Sequence, residues 1–311
     1  MNTDYRLLFT RVEPQKTIGK IIQFPLTRII IAVLFITPAA MLHNFLVDYI
    51  ISGIDKPLYY IILNTERVLN FFLFIISYRL FIKYIERRPA FELSTKKALP
   101  EFGAGVAVGG TLILLMVIPM AVLGYYKISG FDSGWWLLNG VFRLSLGAFI
   151  EEMVFRLILF RLLEEMTGSW LAVILTSLFF GFAHLGNENA TIWSSAAIAI
   201  QDLLIVGTFM YTRRLWMVWG LHFGWNYVQD SVFGMPNSGM TEMPSWIKPT
   251  VTGPEWFTGG AFGVEASYLL VLFCAIAGIF ILYKVAKKNQ IALPMWRRKK
   301  PPPVESLPAQ P

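Results

Sequence analysis

The sequence predicts an all-α polytopic membrane bundle of about eight transmembrane helices, with both termini on the inner side. Three observations carry that prediction. More than half of the 311 residues are hydrophobic and 15% are charged, whereas a soluble domain carries roughly a quarter charged residues. Several apolar runs reach the ~20 residues that a helix needs to cross a bilayer. Lys and Arg gather in alternate connections, the pattern expected when basic residues stay on the cytoplasmic face.

Taken in order, residues 1–28 are too long and polar before the first apolar run to be a secretory signal, and they lack a small-residue cleavage pattern. They are expected to form a cytoplasmic, partly interfacial lead. The membrane domain is expected over 29–285, and a basic, Pro-rich, disordered cytoplasmic tail over 286–311. Within the domain the expected spans are 29–51, 68–85 with an approach from Tyr59, 103–126, 135–163, 170–184, 192–211, 216–232 and 268–285. The third is the least interrupted, and its GGTLILLM stretch reads as small-residue helix packing.

Arg6, Arg11, Lys16, Lys20 and Arg28 precede the first span, and Lys83, Arg87, Arg88, Lys96 and Lys97 follow the second. Arg156 and Arg161 end the fourth, Arg213 and Arg214 the sixth, and Lys284, Lys287, Lys288 and the 297–300 run follow the eighth. The alternate connections hold only Lys56, Lys127 and Lys248. Eight spans with both ends inside put every basic cluster on one side. The net charge of +7 therefore serves topology and does not point to nucleic acid. Residues 234–263 read as a long outer loop with interfacial tryptophans, and PPPVESLP as a plain tail rather than an SH3 ligand. Cys274 stands alone, so no intrachain disulfide and no cysteine metal site is expected.

The polar residues inside these runs are the informative ones. GAFIEEMVFRLILFR, 147–161, sets Glu151, Glu152 and Arg156 among apolar side chains, and each ionisable group at membrane depth costs at least about 2.5–3.5 kcal/mol. Glu152 and Arg156 are four apart and can pair. Glu151 points about 100° away and is left without a local partner. Two later spans contribute His184, and then His222 with Asn226 on one helical face. His184 lies some way into an outward-running span, so its helix is expected to start further inside, to tilt, or to break near Gly181. Arg143 reads as snorkelling, and Glu66 with Arg67 as interfacial. Asp202 and Gln201 read as partners for Arg143, Arg156 or a histidine, or as lining a water path. His43 reads as structural, without a motif partner.

No serine or cysteine comes with an evident base, and glycine-rich phosphate loops are absent. A carboxylate and imidazoles converging among helices suit activation of water, with His and Asn donors for a developing oxyanion. Alternatively Glu151, His184 and His222 could hold a divalent metal such as zinc, although a helical HExxH pair is missing and the spacing does not compel one.

The set Glu151-Glu152-x-x-x-Arg156, Phe180-x-x-x-His184 and His222-x-x-x-Asn226 resembles the CPBP intramembrane endopeptidases, the type II CAAX-prenyl-protease, bacteriocin-processing and abortive-infection family. The resemblance covers about 141–230. It implies Glu151 as the base that polarises the attacking water, His184 as a holder of that water, and His222 with Asn226 as the oxyanion hole. Glu152 and Arg156 would fix the geometry or engage substrate. It further implies a peptide or lipidated-protein substrate cut near the cytoplasmic leaflet, and leaves metal dependence open. Two other readings remain at this point: a non-catalytic membrane scaffold or immunity protein, and a proton-coupled transporter. No inverted repeat supports the transporter. The expected location is a prokaryotic plasma membrane.

Overall fold

The computed structural model describes residues 5–9, 16–50, 54, 58–241 and 244–298. The disorder expected of the Pro-rich tail falls, from 299 onward, outside the described residues, as do Arg11 and Lys56.

Each expected apolar run is helical. A short α1 (Thr17–Gln23) leads into α2 (Pro25–Phe45), followed by α3 (Leu58–Phe81) and α4 (Ala98–Val122). Then come α5 (Trp135–Glu152), a π-helical stretch Met153–Phe160, and α6 (Arg161–Thr167). Next are α7 (Ser169–Ala183), α8 (Ile192–Thr212), and α9 (Leu215–Asn226), which runs on as a π-helix Tyr227–Val232. After the short α10 (Glu255–Thr258), α11 (Tyr268–Lys287) closes the bundle.

Six helices among the described residues are long and apolar enough to cross a membrane: Pro25–Phe45, Leu58–Glu86, Ala98–Val122, Ser169–Gly186, Ile192–Thr212 and Tyr268–Lys287. That is the pattern of a multi-pass membrane protein. The two expected spans that do not qualify are 135–163 and 216–232, each an α-helix that passes into a π-helix, as the first two spans also do at Leu46–Ile50 and Ile82–Glu86. Spans 135–163 and 216–232 also carry the polar cluster.

The expectation of an all-α chain needs one correction. β1 (Tyr126–Phe131) pairs antiparallel with β2 (Ile247–Val251), Tyr126 opposite Val251 and Phe131 opposite Ile247, with a register shift between Ile128 and Gly130. Both strands lie in connections the basic-residue count had placed together. Pro249 is tolerated because a two-stranded ribbon has a free edge on each strand. The 186–190 connection joins them: Asn187 and Asn189 side chains donate to Ser238 O and Gly239 O at 2.9 Å each. At the opposite end Tyr5 N–H donates to Gln290 (3.2 Å), and Arg28 reaches Glu86 (3.0 Å) and Glu165 (2.6 Å).

Glycines seat α9 against α4. A Cβ on Gly105 would lie 2.2 Å from Met217 O, one on Gly109 2.2 Å from Leu221 O, and one on Gly220 2.2 Å from Phe102 O. Only bare backbones approach this closely. His222 is two residues from both Gly220 and Gly224, so about 200° around the helix. The face that packs on α4 thereby turns His222 toward α5 and α7.

Two polar expectations change. Arg143 does not snorkel; its Nη2 donates to Asp230 at 2.6 Å. Glu66 is buried rather than interfacial, because His43 Nδ1 (2.7 Å) and Asn70 (3.2 Å) share its carboxylate.

Candidate active site

The two adjacent acids occupy different surroundings. The Glu152 side chain is fully buried, whereas that of Glu151 is 40% exposed. The expectation of two carboxylates buried side by side thus holds for one of them. The cause is the 100° step between neighbours on a helix, which turns one toward α8 and α9 and leaves the other on the flank.

Glu152 sits in a relay of buried contacts. Its Oε2 accepts from Arg156 Nε at 2.8 Å, the pair expected four residues apart. Arg156 then grips Asp202 of α8 through both terminal nitrogens, and Asp202 Oδ2 also accepts from Ser177 Oγ (2.8 Å). Of the partners open to Asp202 from the sequence, Arg156 is the one it takes. On the other side Glu152 Oε1 meets His222 Nδ1 at 2.8 Å. The Phe180 ring packs 5.2 Å from the Arg156 guanidinium and edge-on to His184 (4.8 Å) and His222 (6.2 Å).

These partners fix the tautomers. A carboxylate gripped by an arginine accepts and does not donate, so His222 keeps its hydrogen on Nδ1. His184 Nδ1 lies 2.7 Å from the Phe180 carbonyl, an obligate acceptor, so His184 does the same. In its neutral form each imidazole therefore presents an unprotonated Nε2. That of His222 lies 3.9 Å from Glu151 Oε2, too far for a direct hydrogen bond and near enough for both to touch one water or substrate atom.

His184 closes α7, which runs unbroken through Gly181 and tightens to a 3-10 turn at His184–Gly186. The break considered at Gly181 is absent. Gly181 instead admits α8, since a Cβ there would lie 2.4 Å from Ser195 O. His184, His222 and Asn226 line one cavity of ≈ 40 Å³ together with Gln201, Ser238 and Glu265, enough for water among several polar partners. Glu151 does not line it and meets the cluster at His222 Nε2.

Sequence reasoning gave Gln201 only a general polar role and passed over Ser238 and Glu265. Gln201 Nε2 donates to Glu265 O (2.7 Å), and the Glu265 carboxylate accepts from Gln229 (2.8 Å) and Ser238 N–H (3.1 Å). Burial pushes the Glu265 carboxyl up to about 7. The segment read as a plain outer loop thus forms one wall of the cavity. The only signal was an acid, Glu265, at the end of the apolar and glycine-rich GGAFGVEAS.

Among the described residues no three His, Cys, Asp or Glu side chains are grouped to hold a metal ion. Glu151 does not line the cavity that His184 and His222 share, and the Nδ1 contacts of the two histidines leave only Nε2 of each free to coordinate. The donor set Glu151, His184 and His222 therefore does not fit a metal in this arrangement.

No curated protein and no solved structure matches the chain. The family described as type II CAAX prenyl endopeptidase, Rce1-like, matches residues 133–228, a stretch that holds all three motifs and the whole relay from Glu152 to Asp202. Residues 133–228 are a domain of that Rce1-like family, a family of CAAX prenyl endopeptidases.

Proposed function

We propose that this chain is an intramembrane endopeptidase that hydrolyses a peptide bond near the cytoplasmic leaflet through a water activated by Glu151, in an eight-span bundle with both termini inside. The observation that carries this reading is the meeting of Glu151 with His222 Nε2 at 3.9 Å, with the opposite imidazole nitrogen locked onto a buried, arginine-held carboxylate. Glu151 takes the proton as water oxygen bonds to the scissile carbonyl carbon. His222 Nε2 and His184 Nε2, as acceptors, orient the same water. Charge then develops on the carbonyl oxygen, where Asn226 is the neutral donor on the cavity wall. Collapse breaks the C–N bond, and the proton held by Glu151 passes to the leaving amine.

This assigns His222 a different part from the one the family resemblance implies. With Nδ1–H committed to Glu152, His222 donates to an oxyanion only as the imidazolium. The wall made by Ser238 and Glu265 closes the cavity at the end where β1 and β2 meet, which supports entry of substrate from the end that gathers the basic residues. The substrate expected is an extended peptide segment, with or without a lipid.

The test is comparative membrane proteomics of cells carrying the native chain and Glu151→Gln. Accumulation of an uncleaved precursor in the variant is expected, and an identical peptide profile would overturn the assignment. Chelators are expected to leave cleavage unchanged; loss of activity restored by zinc would instead require a metal at this cluster.

A further inference from the structure

A second cavity lies away from the cluster. It is an open pocket of ≈ 470 Å³ lined by Arg79, Ile82, Lys83, Arg88, Ala90, Leu93, Ser94 and Thr95, a size typical of small-ligand sites. Arg79 and Lys83 occupy the last two turns of the Leu58–Glu86 span, where a membrane helix reaches the headgroup region.

Charge is the informative property of this cavity. Its acidic neighbours are already neutralised. Glu86 accepts from Arg28 (3.0 Å), Arg161 (2.8 Å) and Arg88 (2.8 Å), and Glu92 from Arg88 at 2.8 and 2.9 Å. Arg88 has spent its fork on them and on Pro89 O (2.9 Å). Arg79 and Lys83 are left over. Both are exposed, neither has an acidic partner among the described residues, and Lys83 Nζ lies 5.3 Å from the Tyr84 ring. Like charges four apart on a helix repel. An anion between them, reached also by the Ser94 and Thr95 hydroxyls, would turn that repulsion into attraction.

We propose that this cavity binds a phosphate group, with Arg79 and Lys83 as its cations and the Ser94 and Thr95 hydroxyls as neutral donors. The place at a helix's membrane exit favours the phosphate of an anionic lipid headgroup, since basic pockets between membrane helices recognise such groups. The inference stands apart from the proteolytic reading, because none of these residues belongs to the Glu151–His222 cluster.

The experiment uses the full chain in lipid nanodiscs of phosphatidylcholine doped with phosphatidylglycerol, with retained lipid read by native mass spectrometry. Arg79→Gln with Lys83→Gln is expected to lower phosphatidylglycerol retention by about tenfold or more. Lys96→Gln with Lys97→Gln removes two exposed cations outside the cavity and is expected to leave retention unchanged. Equal loss in both pairs would mean a diffuse surface charge and overturn the site. A parallel arm titrates inorganic phosphate into lipid-free, detergent-held protein. Binding there that depends on Arg79 and Lys83 supports the phosphate site and identifies free phosphate as a source, and binding of neither probe overturns it.

Discussion

Two buried ion networks grow from opposite ends of one π-helical stretch, Met153–Phe160, and they end differently. At the far end Arg161 donates to Glu86 (2.8 Å), Leu8 O (3.0 Å) and Leu157 O (2.7 Å), and Glu86 also receives Arg28 and Arg88. Every charge there is enclosed and matched. At the near end Arg156 joins Asp202 to Glu152, Glu152 holds His222, and the chain of contacts stops at the half-exposed Glu151. The residue types are nearly the same. A network that closes on itself builds architecture, and one that ends at a carboxylate open to solvent is what the proposed water chemistry requires.

The largest effect is expected from cutting the open network at its root. Arg156→Met leaves Glu152 with only His222 and Asp202 with only Ser177, and stranding a buried charge costs about 3–5 kcal/mol. Arg161→Met should cost less, since Glu86 keeps both Arg28 and Arg88. Thermal unfolding of the detergent-purified variants measures this, and the reverse order would undo the comparison.

Next comes the free end. Glu151→Gln should reduce precursor cleavage by about 10²–10⁴-fold while leaving the unfolding midpoint near that of the native chain, because no buried partner depends on Glu151. Glu152→Gln, one residue away, should lower both activity and stability. A stability loss in Glu151→Gln as large as that in Glu152→Gln would show that both acids are architectural.

The Asn226 donor should show a smaller loss. Asn226→Ala is expected to slow cleavage by about 10²–10³-fold, since an imidazole whose Nδ1–H is already committed donates from Nε2 only as the imidazolium. Single-turnover rates on the accumulated precursor separate this from weaker binding, and an unchanged rate would return the oxyanion role to a protonated His222.

How much of this was legible beforehand depends on range. The Glu152–Arg156 pair, the candidate trio of His184, His222 and Asn226, and the gathering of alternate loops followed from helix spacing and charge placement. Both are local or additive properties of a sequence. The partners of Arg143, Glu66 and Asp202 were not fixed, since each lies on another helix and helical periodicity says nothing about neighbours across a bundle. The Gly220–Gly224 pair was available as a packing signal and explains why His222 faces away from α4. The β1–β2 ribbon and the Glu265 wall were illegible because they depend on two distant connections meeting, and short strands in Gly- and Pro-rich loops leave little pattern.

The last and smallest effect concerns that wall. Burial raises the Glu265 carboxyl from 4.5 to about 7. Between those values the folded chain holds a proton that the unfolded chain has lost. Stability contributed by the protonated form is therefore full below pH 4.5 and declines as pH rises through about 7, by up to about 3 kcal/mol in total. Glu265→Gln keeps a neutral side chain that accepts from Gln229 and Ser238 and should flatten this slope. The Glu86 and Arg161 network, with its opposite balance of charge, is far from this wall and serves as the internal control: Arg161→Met should lower stability and leave the slope in place. Unfolding free energies of both variants at about pH 5 and about pH 8 decide the matter. The same decline in Glu265→Gln as in the native chain would show that the wall is held by its backbone contacts and that the carboxyl proton has no part in it.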